Sequence, residues 1–115
     1  MDKVQTAVTT FNNNFNCSQA VFSAFSEELG LDRATTLKIA SCFGGGMQCG
    51  EVCGAVTGAL MAIGLKYGQS LPDDIKSKEN ANAKAREFIA KFKAKNQTIL
   101  CKELLGYYVS LPEDM

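Results

Sequence analysis

The sequence predicts an all-α fold, and three observations support that prediction. Apolar residues recur every three or four positions in several separate segments, which is the spacing of one helix face. Asparagine, aspartate and glycine stand between these segments, where helices begin and end. No stretch shows the alternation of apolar and polar residues that is typical of a half-buried strand. We therefore expect a compact bundle of five to six helices.

The first part of the chain is predicted to form three short amphipathic helices. Asn16 and Asp32 are expected to cap the second and third, because their side chains can accept hydrogen bonds from the free N–H groups of a first helical turn. An asparagine run ends the first helix and Gly30 ends the second. The predicted spans are residues 2–11, 17–29 and 33–43.

The centre of the bundle is predicted to be a glycine-rich apolar helix over about residues 50–67. It is apolar on almost every side, which is typical of a helix surrounded by others. Gly50, Gly54 and Gly58 recur every four residues, so one face has almost no side-chain bulk. Because each interior glycine costs about 1 kcal/mol relative to alanine, we expect this face to admit another backbone or a ligand at close range.

The last part of the chain is predicted to form a long basic helix over residues 75–95 and a short one over residues 99–105. Thr98 is expected to cap the short helix and Gly106 to end it. Residues 107–109 are expected to begin a tail that packs back on the bundle. The lysines of the long helix are expected to face solvent, and its buried stripe is predicted to be Ala81, Ala85, Phe88, Ile89 and Phe92.

Composition limits the classes of function. The chain has 115 residues, enough for a single domain over residues 1–115 that folds without disulfides. Its 12 basic and 12 acidic residues create no net field toward nucleic acid or an anionic membrane. There is no histidine, which excludes imidazole bases and histidine metal ligands. Cysteine and carboxylate remain as the chemically active groups.

The expected cellular compartment and the number of cysteines both favour free thiols over disulfides. Charges near the N-terminus replace the apolar core of a signal peptide, so we expect a cytoplasmic protein. The longest uncharged run, residues 52–65, is too short to span a bilayer, so no membrane insertion is expected. The reducing cytosol disfavours a structural disulfide framework, and five cysteines cannot all pair within one chain.

Residues 41–58 hold three of the five cysteines and six of the ten glycines. In the predicted fold, four cysteines lie at the start of a helix: Cys17, Cys49, Cys53 and Cys101. There the positive end of the helix dipole stabilises a thiolate, so exposed thiols of low pKa are expected. Cys42 lies at the end of the third helix and is expected to be a packing residue.

Cys49 and Cys53 are predicted to share one face of the fourth helix, because they are four residues apart. Their Cβ atoms would then lie about 5–6 Å apart, which is long for an unstrained disulfide. The spacing also differs from the two-residue spacer of thioredoxin-like motifs and of most zinc sites. The pair by itself indicates neither chemistry strongly.

Four stretches resemble one known family. Residues 44–47, Gly-Gly-Gly-Met, and residues 53–60, Cys-Gly-Ala-Val-Thr-Gly-Ala-Leu, resemble the core of the C_GCAxxG_C_C family of putative redox-active proteins. Residues 16–21 and 101–106 resemble the flanking cysteine segments of that family. The resemblance covers about residues 12–108 and depends on a specific signature.

The resemblance implies a small helical protein with redox chemistry. It implies that Cys17, Cys53 and Cys101 are catalytic thiols, or ligands of a metal or an iron-sulfur cluster; both chemistries stay open here. An unidentified redox protein is the expected partner. The residues expected to line a cofactor are Cys49, Gly45, Gly46, Gly54 and Gly58.

One family position has no counterpart. The fourth family cysteine is expected nearer the C-terminus, and no cysteine follows Cys101. We expect either that a C-terminal segment of the family is missing from the sequence given or that this member lacks that thiol. Cys49 is a candidate to substitute for it, because it lies near Cys53 in sequence.

A second interpretation is a non-catalytic interaction module. In that case the glycine-rich face docks a partner helix or a second copy of the chain, as in a homodimer, and the cysteines fill space. A third is a small-molecule site in the hollow that the glycines leave. No nucleic-acid partner is expected under any of the three.

Overall fold

The computed structural model describes residues 2–104 in full and the backbone of Leu105. The prediction of an all-α bundle is confirmed: within that range the chain forms six α-helices and no β-strand. A π-type turn over Gly46–Gly50 precedes the fourth helix. The predicted helix end at Gly106 and the tail at residues 107–109 lie outside the described residues. The helices are α1 (Lys3–Asn12), α2 (Cys17–Ser26), α3 (Arg33–Ala40), α4 (Gly54–Tyr67), α5 (Ile75–Asn96) and α6 (Cys101–Leu105).

The predicted caps of α2 and α3 are confirmed. The Asn16 side chain accepts a hydrogen bond from the Gln19 N–H at 2.9 Å, and Asp32 accepts one from the Thr35 N–H at 3.0 Å. Both helices end three residues earlier than predicted, since turns follow each of them. The turn after α2 includes Gly30, whose φ of 88° favours glycine.

The contact of α2 with α4 lies at the centre of the bundle. A Cβ atom at Gly58 would lie 2.7 Å from the Ser18 carbonyl oxygen and 3.2 Å from the Phe22 nitrogen. The small face of α4 therefore admits the backbone of α2, one of the two occupants that the sequence predicted. Since α2 covers Gly58, that part of the face is not open to a partner helix or a small molecule.

The long helix α5 packs on α4 and is less buried than predicted. None of its residues is fully buried, and the predicted stripe that includes Phe88 and Phe92 is only half-buried. The rings of these two residues contact each other, with centroids 6.1 Å apart. Its lysines are mostly exposed, as expected. No helix in the described part of the chain is both long and apolar enough to cross a membrane.

Candidate functional site

The loop between α3 and α4 contains a left-handed turn. Left-handed backbone costs an ordinary residue roughly 1–2 kcal/mol, whereas glycine adopts it freely. Gln48 donates its side-chain amide to the Gly44 carbonyl at 2.8 Å, and the Glu51 N–H donates to the Gly46 carbonyl at 2.9 Å. These bonds close the turn. The residues with positive φ are Gly45 (62°), Gly46 (64°), Met47 (60°), Gln48 (62°) and Gly50 (74°).

Because of this turn, α4 begins at Gly54 and not near residue 50. The prediction that Cys49 and Cys53 share one helix face is therefore wrong. Cys49 lies in the turn, where its thiol is exposed and contacts the Gly46 carbonyl at 3.5 Å. Cys53 is the N-cap residue of α4. Three of the four cysteines expected at helix starts lie there, and Cys49 does not.

A short antiparallel bridge connects the start of α4 to the start of α6. Val52 pairs with Leu100, and the residues that flank the pair supply its hydrogen bonds. The Cys53 N–H donates to the Ile99 carbonyl at 2.6 Å, and the Cys101 N–H donates to the Glu51 carbonyl at 2.5 Å. Successive side chains along each paired segment point to opposite sides. Cys53 and Cys101 each follow a residue of the Val52–Leu100 pair, so both point to the side opposite that pair.

Cys17 approaches the same place from α2. A Cβ atom built on Gly54, the residue after Cys53, would lie 2.5 Å from the Cys17 Sγ atom. Gly46 makes room for the third thiol in the same way, since a Cβ there would lie 2.6 Å from the Cys101 Cβ atom. Two of the predicted cofactor-lining glycines thus give space to two of the predicted site cysteines.

The pKa of Cys101 depends on burial and on the other two thiols of the site. Cys101 is buried, with 6% of its surface exposed. Burial raises the pKa of the Cys101 thiol, and the neighbouring thiols of Cys53 and Cys17 raise that pKa further. The expected low pKa and exposure at the start of α6 are therefore wrong for Cys101, because desolvation dominates there. Cys101 stays protonated at neutral pH.

The other four thiols differ in exposure. Cys17 and Cys53 are half-buried, whereas Cys42 and Cys49 are exposed. The prediction that Cys42 is a packing residue is wrong. It follows the end of α3, where its Sγ atom lies 3.8 Å from the Ser41 hydroxyl. Neither Cys42 nor Cys49 contributes to the pKa shift of Cys101.

The described cysteine and carboxylate side chains do not form a metal site. Among residues 2–105, no three cysteine or carboxylate side chains are placed closely enough to hold one metal ion together. Cys17 and Cys53 lie close enough to Cys101 to affect its pKa. The placement of the three thiols does not fit a preformed metal or iron-sulfur site.

Comparison with known families decides the relationship of the chain. Residues 15–114 match the family model described as "Putative redox-active protein (C_GCAxxG_C_C)". The chain belongs to this family. The match includes Cys101 and the two thiols that affect its pKa, Cys17 and Cys53. No curated protein and no solved structure matches the chain in the corresponding searches.

The pairing of residues 51–53 with residues 99–101 was not predicted from the sequence. It also includes an ion pair, in which the Lys102 Nζ atom lies 3.6 Å from a Glu51 carboxylate oxygen. The stretches are almost fifty residues apart in the chain, and each is too short to show the alternation of a strand. No local pattern in one sequence could have found it.

Proposed function

We propose that this family member carries out thiol–disulfide exchange through Cys17 and Cys53, with Cys101 as a protonated third thiol beside them. The observation that supports the proposal is the position of the Cys17 Sγ atom against Gly54, directly after Cys53. Membership of the redox-active family supports the reaction class. The two cysteines proposed to react and their neighbour Cys101 are the three that the family signature indicated.

Accessibility favours Cys17 and Cys53 as the exchanging pair. Both are half-buried, so a substrate sulfur can reach them, whereas Cys101 is buried. The raised pKa of Cys101 also keeps its thiol protonated, and the protonated form is a poor nucleophile. Cys101 is therefore proposed as a neighbour of the exchanging pair rather than as the attacking group.

The proposed exchange takes two steps. A thiolate of the pair attacks one sulfur of a substrate disulfide, the S–S bond breaks, and the first substrate thiolate leaves and takes up a proton. The second cysteine loses its proton and attacks the mixed disulfide, which forms the Cys17–Cys53 bond and releases the second substrate thiolate. Two cysteines are oxidised, one substrate disulfide is reduced, and the two protons end on the released thiols.

Glutathione disulfide provides a direct test on the full chain. Reduced protein is expected to release two glutathione molecules and lose two free thiols. Cys17→Ser and Cys53→Ser are each expected to stop the reaction before the internal disulfide forms. Cys42→Ser is the matched control, because it removes an exposed thiol outside the site and should leave the two-thiol reaction intact.

Two outcomes would contradict the proposal. Equal rates and products for wild type and Cys53→Ser would place the reactivity in Cys42 or Cys49. Stoichiometric metal in anaerobically purified protein, lost in Cys53→Ser, would replace disulfide exchange with metal binding. Metal and sulfide analysis therefore accompanies the glutathione experiment.

A further inference from the structure

We propose that Asn16 is a positioning residue, which sets where Cys17 lies relative to Cys53. The inference depends on the proposed function and adds to it a group that does not itself react. Asn16 immediately precedes Cys17, the first residue of α2. Its contacts join three parts of the chain.

The first set of contacts caps α2. The Asn16 side-chain oxygen accepts from the Gln19 N–H at 2.9 Å, and the Asn16 N–H donates to the Gln19 side-chain oxygen at 2.9 Å. This reciprocal capping box satisfies N–H groups at the start of the helix. Cys17 lies between the two capping residues, so its backbone is held on both sides.

The second set of contacts attaches the same capping box to α3. The Asn16 Nδ2 atom donates to the Ser41 carbonyl at 2.9 Å, and the Gln19 Nε2 atom donates to the Leu37 carbonyl at 2.9 Å. Carbonyls in the last turn of a helix lack partners within the helix. Two side-chain amides thus cap the start of α2 and the end of α3 together.

The third contact reaches the glycine-rich loop. The Asn16 side chain lies against the Cα atom of Gly44, where no Cβ atom would fit. Two residues later the same loop packs through Gly46 on Cys101. One side chain therefore fixes the start of α2 against the loop that carries the rest of the site. Loss of the Asn16 contacts with Ser41 and Gly44 should let Cys17 move away from Cys53 while α2 stays folded.

Asn16→Ser separates positioning from capping. Serine is an equally good N-cap, but it is too short to reach Ser41. Equilibrium of the full chain with glutathione then gives the reduction potential of the Cys17–Cys53 disulfide. We expect the equilibrium constant for its formation to fall about tenfold, which is a rise of about 30 mV. Asp32→Ser is the matched control, because Asp32 caps α3 through one bond and should leave the potential unchanged.

Asn16→Asp is the second variant, since it keeps the size and the cap acceptor and lacks the donor to Ser41. We expect the reduction potential of the Cys17–Cys53 disulfide to rise in this variant as well. The rise should persist in about 1 M salt, where charge effects are screened. A wild-type potential in either variant, or an equal shift in Asp32→Ser, overturns the inference alone. If wild-type protein forms no Cys17–Cys53 disulfide, the proposed function and the inference both fail.

Discussion

The Cys17 Sγ atom occupies the space that a side chain at Gly54 would need. The distance from that sulfur to a Cβ atom built on Gly54 is 2.5 Å, well inside van der Waals contact. Because Gly54 directly follows Cys53, the missing side chain is what lets α2 bring its thiol to the start of α4. The glycine thus has a specific steric role beside the thiols.

Gly54→Ala is expected to destabilise the protein, and Gly64→Ala is its matched control. The new methyl group at position 54 would meet the Cys17 sulfur and also the backbone of Ser18 and Phe43, at 3.1 and 3.2 Å. We expect a loss of about 1–3 kcal/mol in the free energy of unfolding, the usual cost of overpacking. Gly64 also lies in α4 but has nothing within 4 Å, so alanine there should stabilise by up to about 1 kcal/mol.

Urea unfolding of the two variants and wild type measures both effects. Equal stability of Gly54→Ala and Gly64→Ala would show that the space beside Cys17 is not tightly filled. A Gly54→Ala variant that is destabilised but exchanges disulfides at the wild-type rate would separate packing from thiol placement.

The thiols should react with iodoacetamide in the order of their exposure. Cys42 and Cys49 are exposed and Cys101 is buried with a raised pKa. We expect Cys101 to be alkylated more slowly than Cys42 at pH 7–9, because burial shields its sulfur and the raised pKa lowers its thiolate fraction. Residue-resolved mass spectrometry of the full chain measures the rates. Alkylation of Cys101 as fast as that of Cys42 would contradict its placement.

The raised pKa of Cys101 also predicts the direction of a stability change in alkali. The folded pKa lies above the ordinary value of 9.0, so folding favours the protonated thiol. Its contribution is complete below pH 9 and is lost as pH rises through the folded pKa. Cys101→Ala should therefore show a weaker loss of stability above pH 9 than wild type. Parallel curves would contradict the shift.

Two helix caps predict a loss of stability in acid. The Thr35 N–H lowers the pKa of Asp32, and Ser77 lowers the pKa of Asp74. Their folded pKa values lie below 3.8, so their contribution is present above pH 3.8 and is lost as pH falls through the folded values.

Asp32→Asn and Asp74→Asn keep an N-cap that cannot titrate, and each should flatten the fall in stability below pH 4. Asp73→Asn is the control, because Asp73 precedes the cap and its carboxylate caps no helix. Urea unfolding between pH 2.5 and 5 measures the slopes. Identical slopes in wild type and all three variants would contradict the role of these caps.

Local features were predictable and long-range ones were not. The caps at Asn16 and Asp32 depend on hydrogen bonds that span three residues, so the sequence pattern predicts them. The left-handed turn includes Met47 and Gln48, residue types that give no such signal. Because of this turn, α4 begins later than predicted and does not include Cys49.

The grouping of the site was predictable only through the family resemblance. The choice of Cys17, Cys53 and Cys101 over the two remaining cysteines came from that signature, and helix patterns alone did not separate Cys49 from Cys53. The bridge between Val52 and Leu100 depends on tertiary contact and has no local pattern. The burial that raises the pKa of Cys101 also depends on tertiary contact. From the sequence alone we expected an exposed thiol of low pKa instead.

A disulfide map of the oxidised protein shows whether Cys17 and Cys53 form the exchanging pair. Full-length reduced protein is oxidised with glutathione disulfide, remaining thiols are blocked in acid, and the linked peptides are identified by mass spectrometry without reduction. We expect one dominant bond between Cys17 and Cys53, with Cys42, Cys49 and Cys101 free or bound to glutathione. A dominant bond that includes Cys42 or Cys49, or no internal bond at all, would contradict it.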